Sequence, residues 1–492
     1  VLSGAAAAAS VAVAYAALER TGGSRLSHPA PVGDYDEAAT IETEAGKIGH
    51  LLRRAGFGAS RLEYQRYLRI GLDATLDELV NYEAVDDTAV ETMVRDPAVA
   101  RQGIGPAWLV RMANTKRPLQ EKMTLFWHGL LTTQATAVPD STALSEQNQL
   151  YRRNATGVFR DLLKGITRDR AMMVYLDIDG SSRTAPNENF ARELMELFSM
   201  GAGNFSESDV REAARAFTGW SVRRPDPSNL NILGELTFDP ARHDAGEKTV
   251  LGRTGNLGPD DLVDIVADRP ETARHIVRRL FSYFVYEDPD DAELDPFVQV
   301  YEQNGGRIGA VVESILRSDV FYSRRAYRAL VRSPAEFAVA AIKAVGAESD
   351  TIRILSGRSQ AMRGMGQVLF DPPNVAGWPG GASWLSTSSL LARLNFANQL
   401  TGGVPLPGIG GFRGSRNGPT PGPTPTATPL PALGTASYAL GYYLPHMLDD
   451  NLPRQARDFL IEYAGGQRAL LNADSLRGLV YLLLASPMFQ LA

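Results

Sequence analysis

Cysteine is absent from the 492 residues. That excludes disulfides, a thiolate nucleophile and any Cys-ligated zinc or iron–sulfur centre. The absence fits either redox compartment and suits export of an already folded chain. Histidine is scarce. None of the six forms an HxxxH or HExxH pair, the spacing that puts two imidazoles on one helix face for zinc. Phosphate-cradling glycine loops and GxSxG elbows are missing too, so neither a nucleotide enzyme nor an α/β serine hydrolase has its motif. There is no excess of basic charge: 50 Lys and Arg stand against 56 Asp and Glu, interspersed, for a net charge of −6. That balance argues against a nucleic-acid partner.

What is present begins with Val1–Glu19, small and moderately apolar residues with no charge before Glu19. The stretch reads as the hydrophobic part of an export signal whose basic start is missing from this chain. Its Ala-rich, weakly hydrophobic character suits the twin-arginine type. An Ala-rich helix packed on the protein and an uncleaved anchor, about 18 residues long and just able to span a bilayer, are the other readings. No other segment is a membrane candidate. Residues 20–45 read as a polar tether.

From Gly46 helical periodicity dominates. Leu119, Met123, Phe126, Trp127 and Leu130 share one face, with Pro118 suited to the first turn. Val158–Ile166, Ala273–Phe284 and Ser333–Val345 repeat the pattern. Only Glu235–Phe238 and Lys248–Leu251 alternate as strands do, and suggest a small hairpin. Residues 402–437 include PTPGPTPTATPLP, which has no capacity to build a core and whose threonines are candidate O-glycan sites. The expected fold is mainly α: one large multi-helix domain over 46–401 and 438–492, with at most a short β-hairpin, interrupted by that Pro/Thr-rich insertion.

Candidate chemistry concentrates between Tyr175 and Trp220. A helix expected over Asn187–Met200 carries Glu193 and Glu196 three apart on one face, and Glu188 and Arg192 four apart. Paired carboxylates can act as acid and base; the structural alternative is ion pairing with Arg211, Arg215 or Arg160. Asp177, Asp179, Ser181 and Glu188 fall at positions 1, 3, 5 and 12 of an EF-hand-like frame, whose hard oxygens suit Ca2+. Ser182 and Thr184 depart from that frame at positions 6 and 8, and an Asp-capped loop without metal is the alternative. His243 and Asp244 can form a base and its orienter, or stabilise a turn. His128 reads as a core or boundary histidine. Trp378 and Trp384 sit in a Pro/Gly-rich loop and, with Trp220, can stack on sugar rings or pack as a rigid corner. Asn189 and Arg192 are the polar groups expected to bind substrate beside them.

The blocks HLLRRAGFG (His50–Gly58), RPLQEKMTLFWHG (Arg117–Gly129), PNENFARELMELFSMG (Pro186–Gly201), SDVREAARAFTGW (Ser208–Trp220), HDAGEKTVLG (His243–Gly252), DPPNVAGWPGG (Asp371–Gly381) and the closing ASPMFQLA occur in this order. On these blocks the chain from His50 onward resembles the bacterial domain-of-unknown-function 1800 family. The resemblance implies a secreted, mostly helical protein, often encoded beside a second exported protein, and implies no activity. Two functional expectations follow. One is a hydrolase or lyase acting on an extracellular polymer, most plausibly polysaccharide. Glu193 and Glu196, or His243 and Asp244, would move protons there, and tryptophans would stack the substrate. The other is a scaffold of an envelope assembly that holds a second exported protein, with the membrane reached only through residues 1–19. Glu188, Asn189, Arg192, Glu193, His243, Asp244 and Trp378 are expected to meet in one polar centre, because burying each alone is costly.

Overall fold

The computed structural model describes residues 40–226, 228–229, 231–355, 359–402 and 434–492. The export or anchor segment 1–19, the tether to residue 39 and all of the insertion but its ends lie outside the described residues. Among the described residues the fold is all-α, with 24 α-helices and two two-stranded ribbons. No helix among them is long and apolar enough to cross a membrane.

The periodic segments become helices where local chemistry starts them. Pro118 opens the helix Pro118–Leu130 at its first turn, and Leu119, Met123, Phe126, Trp127 and Leu130 are buried along it. Pro270 opens Pro270–Phe284 in the same way. That helix buries Ala273, Ile276, Val277, Leu280, Phe281 and Phe284 as one stripe, each large side chain contributing about 1.5–3 kcal/mol of apolar burial. Helix Pro334–Ala344 is set by a capping box in which Ser333 Oγ accepts from the Glu336 amide and Glu336 accepts from the Ser333 amide.

Strand β1 (Trp220–Val222) pairs antiparallel with β2 (Leu236–Phe238), and β3 (Lys248–Val250) with β4 (Arg253–Gly255). Both alternating runs are therefore strands, but each pairs with a different partner instead of with the other. The helix expected over Asn187–Met200 is shorter, Asn189–Glu196. Asn187 Oδ1 accepts from the Asn189 amide at 2.9 Å and starts it. It ends because Phe198 N donates to Glu193 O and Met200 N to Met195 O, both at 2.9 Å, a five-residue closure that stops the helical ladder.

One continuous core runs from Ile41 to Phe489. The two ends of the described body meet the same region. Ile41 N donates to Tyr322 O at 2.8 Å, and Ala492 N to Leu330 O at 2.8 Å. Helix Glu44–Arg54 is joined to the end of helix Ala436–Leu448 by Arg53 and Asp449, 2.5 Å apart.

Candidate functional site

The loop between helices Arg170–Tyr175 and Asn189–Glu196 is built from its own acids. Asp177 takes a left-handed conformation, φ 58°, and its Oδ2 accepts from Asn189 Nδ2 at 2.9 Å. Asp179 accepts from the Val222 amide and from Arg224 Nη2, both at 2.8 Å, which ties the loop to β1. Ser181 Oγ accepts from the Asn187 amide at 3.1 Å. Glu188 pairs with Arg192 at 3.2 Å, and the Arg192 fork takes both Glu207 oxygens at 2.8 Å each. The calcium frame is thereby corrected. The oxygens of Asp177, Asp179, Ser181 and Glu188 serve five different partners and do not converge. Among the described residues no group of three or more His, Asp or Glu is placed to hold a metal ion.

Glu193 and Glu196 lie on the same helix, half-buried, with Phe190, Ala191, Leu194 and Met195 on its core face. Among the described residues the Glu193 carboxylate has no hydrogen-bond or ion-pair partner, although its backbone carbonyl accepts from Phe198 N. Burial, then the neighbouring Glu196 charge, raise its carboxyl above the ordinary range, while Arg192 pulls the other way. The Tyr175 phenol is also pushed up, by burial and by the Glu193 and Asp371 carboxylates. Tyr175 therefore stands in the field of both carboxylates. Asp371 Oδ1 accepts from Thr136 Oγ1 at 2.9 Å.

His243 and Asp244 are placed as a turn. His243 Nδ1 lies 3.0 Å from Thr218 O, and its ring packs on Phe238 at 5.4 Å. Asp244 does not orient His243. Its carboxylate accepts from Arg215 Nε at 2.7 Å and Nη2 at 3.1 Å, and the Arg215 hydrogen bonds hold it down at about 2. An ion-paired, fully charged carboxylate is a poor proton carrier near neutral pH. Trp220 leans on Phe238 at 5.0 Å, its indole N–H buried and without a partner.

Trp378 packs tilted against His128 at 5.4 Å, and His128 also meets Trp108 at 5.1 Å and Phe370 at 4.9 Å. The Phe370 amide donates to His128 Nε2 at 3.0 Å. That fixes the ring proton on Nδ1, which is buried without a partner, and burial drops the imidazole to about 3. Gly377 brings the loop against the helix end: a Cβ there would stand 2.6 Å from Gly129 O. Trp384 lies in the 3-10 turn Gly381–Leu385, half-buried, its N–H also unpartnered.

Three groups result. Asp177, Asp179, Ser181, Glu188, Asn189 and Arg192 form one network. His243 and Asp244 adjoin it, since Arg242 Nη2 donates to Gly180 O at 2.6 Å and Gly219 N to Ser181 O at 3.0 Å. Trp378 belongs to a separate aromatic cluster around His128. A surface depression of about 240 Å3 between Arg160, Pro270, Tyr301 and Gly305 is lined by none of these residues. Sequence reasoning missed Tyr175 and Asp371, although Asp371 opens a block already singled out. It also missed the buried cations of HLLRRAGFG: Arg53 and Arg54 are 4% and 1% exposed. Two charges inside an otherwise apolar segment were the available signal.

These features define an all-α protein whose charged loops are cross-linked around one helix bearing two carboxylates. The chain belongs to the family described as protein of unknown function (DUF1800), whose model matches residues 50–491. Neither the curated proteins nor the solved structures include a match to it.

Proposed function

We propose that the protein is exported and acts as a hydrolase or lyase on an extracellular polysaccharide, with Glu193 as its proton-carrying group. One observation carries the reading: of the four acid–base candidates, Glu193 alone is half-buried, unpaired and raised in pKa. Such a carboxyl keeps its proton closer to neutral pH, as a general acid must. Glu196 supplies the second carboxylate, and Tyr175, whose phenol feels the Glu193 charge, the aromatic group beside it. Arg192, Asn189 and Asp244 act by holding the loops in place. Export is supported by the uncharged, Ala-rich Val1–Ala17 and the cysteine-free composition.

The test is reducing-end or unsaturated-product release from a panel of bacterial and plant polysaccharides. Glu193→Gln is expected to lower turnover by roughly 10²–10⁴-fold with the fold intact, the usual contribution of a general acid. Activity of the native protein is expected to fall as pH rises through the elevated Glu193 pKa. A Glu193→Gln protein as active as the native one removes this reading.

A second reading, a scaffold holding another exported protein, is favoured by the Asp244–Arg215–Glu212 and Glu188–Arg192–Glu207 ion-pair chains. Such chains cross-link a framework and leave their charges unavailable for chemistry. Cross-linking in the native envelope distinguishes it: one recurrent exported partner, with no polymer cleaved, favours the scaffold.

A further inference from the structure

The largest set of charged side chains outside that site lies in the interior, where helix Glu44–Arg54 meets the C-terminal helices. Arg53, Arg54, Lys122, Arg328 and Arg332 are all buried there. Two carboxylates face them. Asp449 accepts from Arg53 Nη1 at 2.5 Å through one oxygen. Its other oxygen accepts from the Tyr327 hydroxyl at 2.8 Å and Arg328 Nη2 at 3.3 Å. Glu336 is occupied by Lys122 and by the Ser333 amide of its own cap. Arg54 donates to the carbonyls of Val285 at 3.0 Å and Ala326 at 2.6 Å.

Arg328 Nη1 donates to Met488 O, but several other donors have no partner among the described residues. Arg53 Nε and Nη2, Arg328 Nε and Arg332 Nη1 are buried and unsatisfied. Arg53 and Arg328 both lie near the Tyr327 ring, 5.6 and 5.3 Å from its centre, and Arg332 lies over Phe489 at 4.3 Å. His50 adds no charge. Its Nε2 is 2.9 Å from Phe321 O, and burial beside Arg54 and Arg53 keeps the ring neutral. Five cations thus face two carboxylates in a region closed to solvent. A buried water would satisfy the donors but leave the charge, whereas an anion does both. Guanidinium forks match tetrahedral oxyanions, and the Arg53 and Arg328 charges act directly on Arg332.

We propose that Arg53, Arg328 and Arg332 hold a small divalent oxyanion of the phosphate or sulfate type, enclosed beside Tyr327 and Phe489. This assignment does not depend on the Glu193 reading. The protein is prepared free of both ions, and its thermal midpoint is followed against inorganic phosphate, then sulfate, with chloride at equal ionic strength as control. A saturable rise with the oxyanions and none with chloride is expected. Arg332→Met is expected to fold, because methionine fills the space of the stem and removes an unpaired charge. It is expected to weaken phosphate binding about tenfold or more, the loss of one charge-assisted contact. The surface variant Arg324→Met is expected to respond like the native chain. Equal rises with chloride and phosphate, or an Arg332→Met protein that responds like the native one, overturn the site. Should Arg332→Met not fold, phosphate retained by the native protein through gel filtration decides: about one per chain supports the site and none overturns it.

Discussion

Four of the histidines are buried deeply enough to stay neutral in the folded chain. Burial is the first cause in each case, dropping His128 to about 3 and His275 and His446 to about 4, with His50 well below its ordinary value. Three of the four rings lie within 3.3 Å of a backbone carbonyl oxygen: Phe321, Leu197 and Ala344. The sign follows from proton counting. Below the unfolded value of about 6.5, the unfolded chain binds protons that the folded one refuses. Stability present above that pH is therefore lost as pH falls toward about 4. Asp169 opposes this, since burial raises it to about 6 and it holds a proton in the fold that the unfolded chain releases. Each histidine contributes up to about 1.4 kcal/mol per pH unit in its window, so the net slope is a few kcal/mol per unit. Urea unfolding at pH 7, 6 and 5 is expected to show that fall, and a flat profile would show that these rings are hydrated.

At the scale of elements, the Asp371–Gly381 loop is held by backbone proximity more than by side-chain bonds. Gly377 has φ 84° and faces Gly129 O, while Thr132 Oγ1 donates to Val375 O at 2.6 Å. An added methyl meets both a left-handed backbone and a rigid carbonyl. Gly377→Ala is expected to destabilise by about 2–4 kcal/mol and to release Trp378 from His128. Chemical denaturation checks the first effect and indole fluorescence the second. Asp179→Ala, which removes two bonds to the β1 side, is expected to cost about 2 kcal/mol while sparing the distant helices. The contrast between these elements explains what the sequence disclosed. Helices such as Pro118–Leu130 and Pro270–Phe284 were legible because an apolar stripe and an N1 proline are local signals. The early end of Asn189–Glu196 was not, since it depends on backbone closure that side-chain spacing does not encode. The two readings of His243–Asp244, base and orienter or turn, stayed undivided for a related reason. Asp244 neighbours His243 in sequence, but its bonds go to Arg215, 29 residues away. The partners of β2 and β3 were equally hidden, because alternation reveals a strand but not which edge it meets.

For the whole molecule, the decisive contacts are those of greatest sequence separation. Phe489 is 2% exposed, packs on Phe337 at 5.9 Å and carries the Arg332 guanidinium. Phe489→Ala is expected to cost about 3–5 kcal/mol, since it opens a cavity beneath a buried cation. A lowered midpoint with an unchanged circular dichroism spectrum is the expected readout. Arg53 and Asp449 are 396 residues apart, and the Arg54 carbonyl partners are more than 230 residues away. During synthesis, then, helix Glu44–Arg54 emerges with cations whose partners do not yet exist. At about 5–20 residues per second the wait for Asp449 lasts tens of seconds. The Arg53–Asp449 link of helix Glu44–Arg54 therefore closes only once nearly all of the described chain has been made, whereas its packing on helices Arg61–Ile70 and Leu72–Val80 is available early.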